Sequence, residues 1–466
     1  MMSTQTTTSG KMKFGTIVLF GINCLLGAGI FITPGKAYSE LGMNLFPVLV
    51  VCAVLALIMA LAFAEMAGIF TKTGGVYVYV SATFGPFLGF NIGFMRFLAA
   101  CVALAVQVAA LPGIITTALG IHLAPANSAM ISIAFACVLC GINLISVKVM
   151  SVFTRVSSWL VLAALISCIL VSFSHFDLAN FTDVPGLVAQ STGVEVPAFG
   201  HLTSAEFSGG FLLLFYAMVG FENIGVASQD MENPTRDIPR AIILVLLSVT
   251  ALYFLLFASI IGSMGGEHLA FSDNSVADSV GMVLGNGARA IMSLGSVVAL
   301  FGIGLAMCFA GPRNLVPLAV DGFLPESAGA NNKRGVPAKS IIAMLVVTII
   351  FIVLANAMSK ESFVLLVEVA TVCRLLQYLA VIVGIFVVRK KKMQGTYRMP
   401  WFKVLVPICV LVCLYLGSCT PPTVLLITLG LIVISLLVYF LYAQPRAKRM
   451  DESGDDGHHH GHHHAV

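Results

Sequence analysis

Long apolar runs dominate the chain, separated by short polar stretches. A bilayer core of about 30 Å needs about 20 helical residues per crossing. Twelve runs of that order can be read, at roughly 14–41, 44–70, 86–119, 127–147, 154–175, 208–229, 239–262, 288–318, 338–357, 361–388, 402–419 and 421–443. They are continuous, without the alternating ten-residue strands of a membrane β-barrel. The pattern predicts an all-α polytopic membrane protein with twelve transmembrane helices.

Two of these spans break helix rules. The first carries Gly27, Ala28 and Gly29 at mid-membrane depth, with Pro34 soon after; the sixth carries Gly220 at its centre and Glu222 two residues later. Glycine costs a helix about 1 kcal/mol relative to alanine, and membrane backbone unwinds only where protein or a watery cavity satisfies its polar groups. The two spans hold equivalent places in successive blocks of five. Interrupted spans at matching positions of two halves point to the central site of a secondary transporter. Gly21, Gly89 and Gly93 read instead as close-packing glycines.

Composition agrees with lipid as the solvent. Of 466 residues, 59 % are hydrophobic and 10 % charged, with a mean hydropathy of +1.00, whereas a soluble domain carries roughly 25 % charged residues. Disordered, collagenous and nucleic-acid-binding classes are excluded, and a net charge of +4 says nothing about a polyanionic partner. Placing both termini in the cytoplasm puts 20 of the 25 Lys and Arg on the inner side, while 177–207 holds Asp177, Asp183, Glu195 and Glu206 and no cation. The positive-inside rule thus predicts an integral protein of the cytoplasmic membrane with cytoplasmic termini. The polar start, MMSTQTTTSGKMK, precedes an apolar segment too long for a cleavable signal and lacking a small-residue cleavage site. Cysteines in apolar runs read as small hydrophobes, including the pair Cys137 and Cys140, so no metal site is expected; no cofactor is expected either.

An unwound helix frees N–H groups on its downstream half and carbonyls on its upstream half. The first attract an anion and the second a cation, which suits a zwitterionic amino acid. The N–H groups around Ala28, Gly29 and Ile30 would take a carboxylate, carbonyls near Leu25, Tyr216 and Val219 an ammonium, and the small residues from Gly27 to Gly29 let the ligand reach the backbone. Gln107, Gly220, Phe221 and Met307 complete the substrate-binding candidates. Glu222 is the candidate proton carrier, since an intramembrane carboxylate is costly to bury and desolvation favours its neutral form. Glu65 and Glu368 read as structural. Arg374 is six residues from Glu368 and so on a different helix face, and Arg96 reads as snorkelling or paired.

Four segments then resemble one family. Gly27-Ala28-Gly29-Ile30-Phe31 with Pro34-Gly35 is similar to the G-S-G-I-F…P-G element of the amino acid–polyamine–organocation (APC) transporters. Thr73-Gly74-Gly75 with Tyr77, Tyr79 and Phe84-Gly85 resembles the family's loop after span two. Gly220-Phe221-Glu222 through Glu232-Asn233-Pro234 and Asp237-Ile238-Pro239-Arg240 resembles its sixth-span signature. Arg313 with Asp321-Gly322-Phe323-Leu324-Pro325 resembles the end of its eighth span. The resemblance covers residues 14–443. It implies a LeuT-type five-plus-five inverted-repeat core with broken helices 1 and 6, moving amino acids or polyamines by proton symport or exchange, as a monomer or homodimer. On that reading residues 1–13 are a cytoplasmic tail, 14–388 the ten-helix core, 389–401 a basic cytoplasmic loop, 402–443 two additional helices and 444–466 a disordered His-rich tail. Family gating at the sixth span falls on Phe221 or Tyr216.

Departures shape the expectation. Ala28 replaces the family serine, and the fifth span, SSWLVLAALIS, lacks the lysine of many proton-coupled members, which gives Glu222 weight. Tyr216 and Met307 stand where arginine exchangers carry tryptophan, weakening a cation–π box. The expected substrate is a neutral amino acid, with a polyamine or basic amino acid exchanger, or a transporter-like sensor, as alternatives. A channel would need a continuous polar lining, and a membrane enzyme a clustered catalytic set; the sequence offers neither.

Overall fold

The computed structural model describes residues 13–453, apart from 28, 71–73, 146, 189–194, 227–231, 333–334, 360 and 396. Ala28, Thr73 and both terminal tails beyond these limits therefore lie outside the described residues. The described chain is helical: α1 Phe14–Leu25, α2 Gly29–Leu41, α3 Leu45–Ile69, α4 Val76–Phe84, α5 Pro86–Leu119, α6 Pro125–Ile145, α7 Val147–Phe173, α8 Ser204–Tyr216, α9 Glu222–Val226, α10 Pro234–Leu269, α11 Ser275–Leu284, α12 Asn286–Ala310, α13 Val316–Val320, α14 Glu326–Gly329, α15 Ala338–Met358, α16 Ser362–Lys390, α17 Phe402–Cys419, α18 Pro422–Val438 and α19 Gln444–Ser453. Among the described residues the only strand-like pairing is a bridge between Val188 and Glu195.

Ten helical stretches are long and apolar enough to cross a membrane, two fewer than the twelve runs in the sequence. The missing two are the first and sixth spans. Each is interrupted, so neither half reaches spanning length. α1 stops at Leu25, with Leu26 extended, and α2 restarts at Gly29. α8 stops at Tyr216, and α9 restarts at Glu222.

Lipid dictates what faces outward. Leu170 on α7, Ile291 and Leu294 on α12, Leu411 on α17 and Leu426 on α18 are all exposed, as expected where hydrocarbon replaces water. The buried helix is α5, lined by Leu98, Cys101, Val102, Leu104, Ala105, Val108 and Leu111 and packed against α4, α6, α12, α15 and α16.

Polar ties fasten the ends of the bundle. The fork of Arg389 grips Glu65, Nε to Oε2 at 2.9 Å and Nη2 to Oε1 at 2.6 Å, and the Met399 N–H donates to the same Oε1 at 2.6 Å. The basic segment after α16 is thereby folded against the end of α3, in line with a structural role for Glu65. At the opposite end of α16, Lys36 Nζ lies 2.8 Å from Glu361 Oε2 and 3.4 Å from Asp273 Oδ1.

One boundary is corrected. Residues 444–453, read from sequence as the start of a disordered tail, form α19. The π-helical turn Tyr439–Ala443 carries the helix through, and Arg446 donates to the carbonyl of Gly322. Hydrophilicity alone suggested the tail; a docking surface at the 321–325 turn keeps it helical.

Candidate functional site

The two interruptions meet. Gly220 adopts φ +119°, a conformation that side chains rarely tolerate, and a Cβ there would run into the carbonyl oxygen of Cys24. The end of α1 and the gap between α8 and α9 are thus in backbone contact, which only glycine permits. α2 opens at Gly29 with Ile30 next, so their N–H groups belong to the first turn and have no partner within the helix. Tyr216, the last residue of α8, stands beside Gly29: a Cβ on Gly29 would lie 3.5 Å from the Tyr216 ring and 3.5 Å from Thr33 Oγ1. The Thr33 hydroxyl donates to the Gly29 carbonyl.

The sequence-derived candidates sort as follows. Leu25, Gly27, Gly29, Ile30, Tyr216, Val219, Gly220 and Phe221 all lie at or within one turn of the meeting point. Gln107 joins them from α5: its side-chain oxygen is 3.9 Å from where a Cβ on Gly27 would stand, while its amide donates to the Leu300 carbonyl at 3.0 Å. Met307 is partly buried on α12, outside this group of contacts. Phe221 is fully buried, edge-on to Phe63 and tilted against Tyr378 at ring separations of 5.7 and 5.2 Å.

Glu222 opens α9 and is buried, but its surroundings are not apolar. Arg96 Nη1 from α5 lies 3.4 Å from Glu222 Oε1, Arg374 Nη1 from α16 lies 3.3 Å from the same oxygen, and the Tyr378 hydroxyl donates to Oε2. Arg96 also donates to Asn223 Oδ1 at 3.0 Å. The expectation that desolvation alone governs this carboxylate therefore misses its two guanidinium partners. Arg374 misses Glu368, as helix periodicity anticipated, but it has a partner in Glu222 that spacing along the chain could not supply. Two cations facing one anion give the cluster a net positive charge among the described residues.

Glu368 meets no cation. It is buried on α16 and has no hydrogen bond or ion pair among the described residues; its electrostatic neighbour is Glu40 of α2. Glu40 was not singled out in the sequence, although a second carboxylate in an apolar span was a visible signal. The thiols of Cys140 and Cys308 lie 3.7 Å apart between α6 and α12, while Cys137 faces outward. The C-x-x-C pair thus points two ways, and among the described residues no three His, Cys, Asp or Glu gather into a metal-binding group.

Two helix breaks in contact are the arrangement expected at the central site of a secondary transporter. A family model described as amino acid permease matches residues 12–448, and the chain belongs to that family. It is similar to the branched-chain amino acid permease BcaP of Bacillus subtilis (strain 168), 25 % identical over 445 residues, covering 93 % of this chain and 92 % of that protein. The BcaP of Lactococcus lactis subsp. cremoris is also 25 % identical, over 456 residues, covering 92 % and 93 % of the two chains. An uncharacterised transporter of Mycobacterium tuberculosis is 28 % identical over 343 residues, 71 % of each chain. The protein is an integral, multi-pass membrane permease whose substrate is a small molecule of the amino acid class.

Proposed function

We propose that the chain carries a neutral amino acid across the cytoplasmic membrane by alternating access around the paired breaks, with proton coupling. The observation that carries this reading is the contact of Gly220 with the Cys24 carbonyl, which places two unwound segments side by side. The substrate carboxylate sits on the first-turn N–H groups of Gly29 and Ile30, and the ammonium on carbonyls near Leu25, Tyr216 and Val219. Tyr216 and Phe221 close over the side chain. The ten long helices plus the two broken ones make twelve crossings in a five-plus-five inverted repeat with two added helices, both termini inside.

Two observations favour a neutral, apolar substrate. The two permeases that match nearly the whole chain are named for branched-chain amino acids. The net positive cluster of Arg96, Arg374 and Glu222 repels a polyamine or basic amino acid at short range, which disfavours the exchanger alternative. In the proposed coupling, a proton on Glu222 removes the charge that holds Arg96 and Arg374, freeing α9 from α5 and α16 so that one access path can open.

Uptake of labelled leucine, isoleucine and valine into proteoliposomes, with arginine and putrescine as competitors, tests the substrate class. The proposal expects competition among the neutral amino acids only. Inhibition by putrescine or arginine at the same concentration overturns it, and binding without uptake would make the protein a sensor. Glu222→Gln should keep substrate exchange and lose the acid dependence of net uptake between about pH 5 and 8; an unchanged profile excludes Glu222 as the coupling site. Gly29→Val should fold, because a Cβ there meets only ordinary contacts, yet lose binding as its branches cover the N–H groups. Labelling of a cysteine placed at 390 by an impermeant reagent from outside intact cells would refute the topology.

A further inference from the structure

Several acidic and basic side chains in the helical bundle are held in ion pairs. Glu65 is gripped by Arg389, Glu222 by two arginines, and Lys36 by Glu361 and Asp273. Glu368 is 6 % exposed, has no hydrogen bond or ion pair among the described residues, and has Glu40 as its electrostatic neighbour. Its position follows from backbone register as well as from charge. Glu368 lies three residues before Thr371, on the same face of α16, and the Thr371 hydroxyl donates to the carbonyl of Leu212 on α8 at 3.0 Å. α8 and α16 belong to two even-numbered spans and run the same way. Three residues before Leu212 is Gly209, and Glu40 Oε2 rests 3.4 Å from where a Cβ on Gly209 would stand. By this register Glu368 stands at the level of Gly209 of α8, where the absent side chain leaves room for the Glu40 carboxylate.

The other charged groups do not neutralise the pair. Glu206 on α8 acts on Glu40 and adds negative charge. Lys36 is one turn from Glu40 on α2 but is held by Glu361 and Asp273. The neighbouring α3, α5, α15 and α17 each carry one charge, Glu65, Arg96, Lys339 and Lys403, all toward the opposite ends of these helices; α4 and α18 carry none. α10 and α11, which pack on α2, bring Glu267 and His268, both exposed, and Asp278, which is paired with Arg289 at 2.9 Å. Two carboxylates cannot both stay ionised in one buried site without a counter-charge.

We propose that Glu40 and Glu368 form a proton-binding pair, separate from Glu222, that loads one proton from the aqueous face nearest the start of α16. A proton from hydronium adds to one carboxylate oxygen, and the resulting O–H donates to the other carboxylate; return of the proton to water reverses the step. Glu368 precedes Tyr378, the partner of Glu222, by ten residues, about 15 Å along the helix. The pair is thus a second station rather than part of the Glu222 cluster. Its use in coupling rests on the proton-coupled reading above; its existence does not.

Infrared absorption of the purified full-length protein reads the proton directly. Ordinary glutamates ionise near pH 4.3, so a protonated-carboxyl stretch persisting at about pH 7 is the expected signature. It should be lost in both Glu368→Gln and Glu40→Gln and survive in Glu222→Gln. Absence of the band from the unaltered protein overturns the proposal even if a variant fails to fold, and so does a band that survives in both Glu40→Gln and Glu368→Gln. In proteoliposomes, Glu368→Gln should abolish stimulation of net uptake by outside acid while leaving substrate exchange; retention of that stimulation removes the pair from the coupling path. If no amino acid is taken up by the unaltered protein, the transport reading fails while the infrared result still decides the proton site.

Discussion

Glu222 and Glu368 are equally buried, each 6 % exposed, and sit in opposite company. Glu222 accepts from Arg96, Arg374 and Tyr378; Glu368 has Glu40 as its electrostatic neighbour and no donor among the described residues. Burial alone would assign both the same chemistry. The difference lies in the neighbours: one carboxylate is held by two guanidiniums that its protonation would release, while the other has no cation to hold it. The first ties three helices, α5, α9 and α16, at the meeting of the breaks. The second ties none until protonated, when α2 and α16 gain a hydrogen bond.

The largest expected effect contrasts the two directly. Glu222→Leu strands two buried guanidiniums and should destabilise the protein by about 3–5 kcal/mol. Glu368→Leu removes an unpartnered carboxylate and should change stability by less than about 1 kcal/mol, or raise it. Thermal melts in one detergent decide, and equal losses would dissolve the distinction between the two sites. Next in size is Gly220→Ala. Strain at φ +119° costs about 1–3 kcal/mol, and the overlap with the Cys24 carbonyl adds to it, so α9 and with it Glu222 should lose their placement. The expected readout is a lowered melt accompanied by faster protease cleavage in residues 217–226, with the infrared band of the Glu40–Glu368 pair retained; loss of that band would couple the two sites. Smallest is Asp273→Asn. Asp273 has a side chain 58 % exposed, and an exposed arm of this kind is worth at most about 0.5 kcal/mol. The carboxyl band should not move, because Glu361 still holds Lys36. A lost band would show that Lys36 had turned to neutralise Glu40.

The sequence by itself determined the solvent, the helices and the places where they fail. Apolar runs of spanning length require helices in lipid because every backbone polar group must be satisfied within the segment. Glycine at 27, 29 and 220 is a local instruction, and both interruptions stand within a residue or two of it. Even the mismatch of Arg374 and Glu368 was legible, since helix periodicity is local. The count of long helices was not, because an interruption removes two spans from that count without removing the crossings the runs imply. Tertiary structure alone decided which charges meet. Glu222 lies 126 residues from Arg96 and 152 from Arg374, and Glu40 of α2 is set against Gly209 of α8. α19 likewise needed a surface to dock on. Propensity and hydropathy act over a few residues and fix where a chain is helical and buried; the charge state of a buried acid depends on groups that only packing brings within a few ångströms.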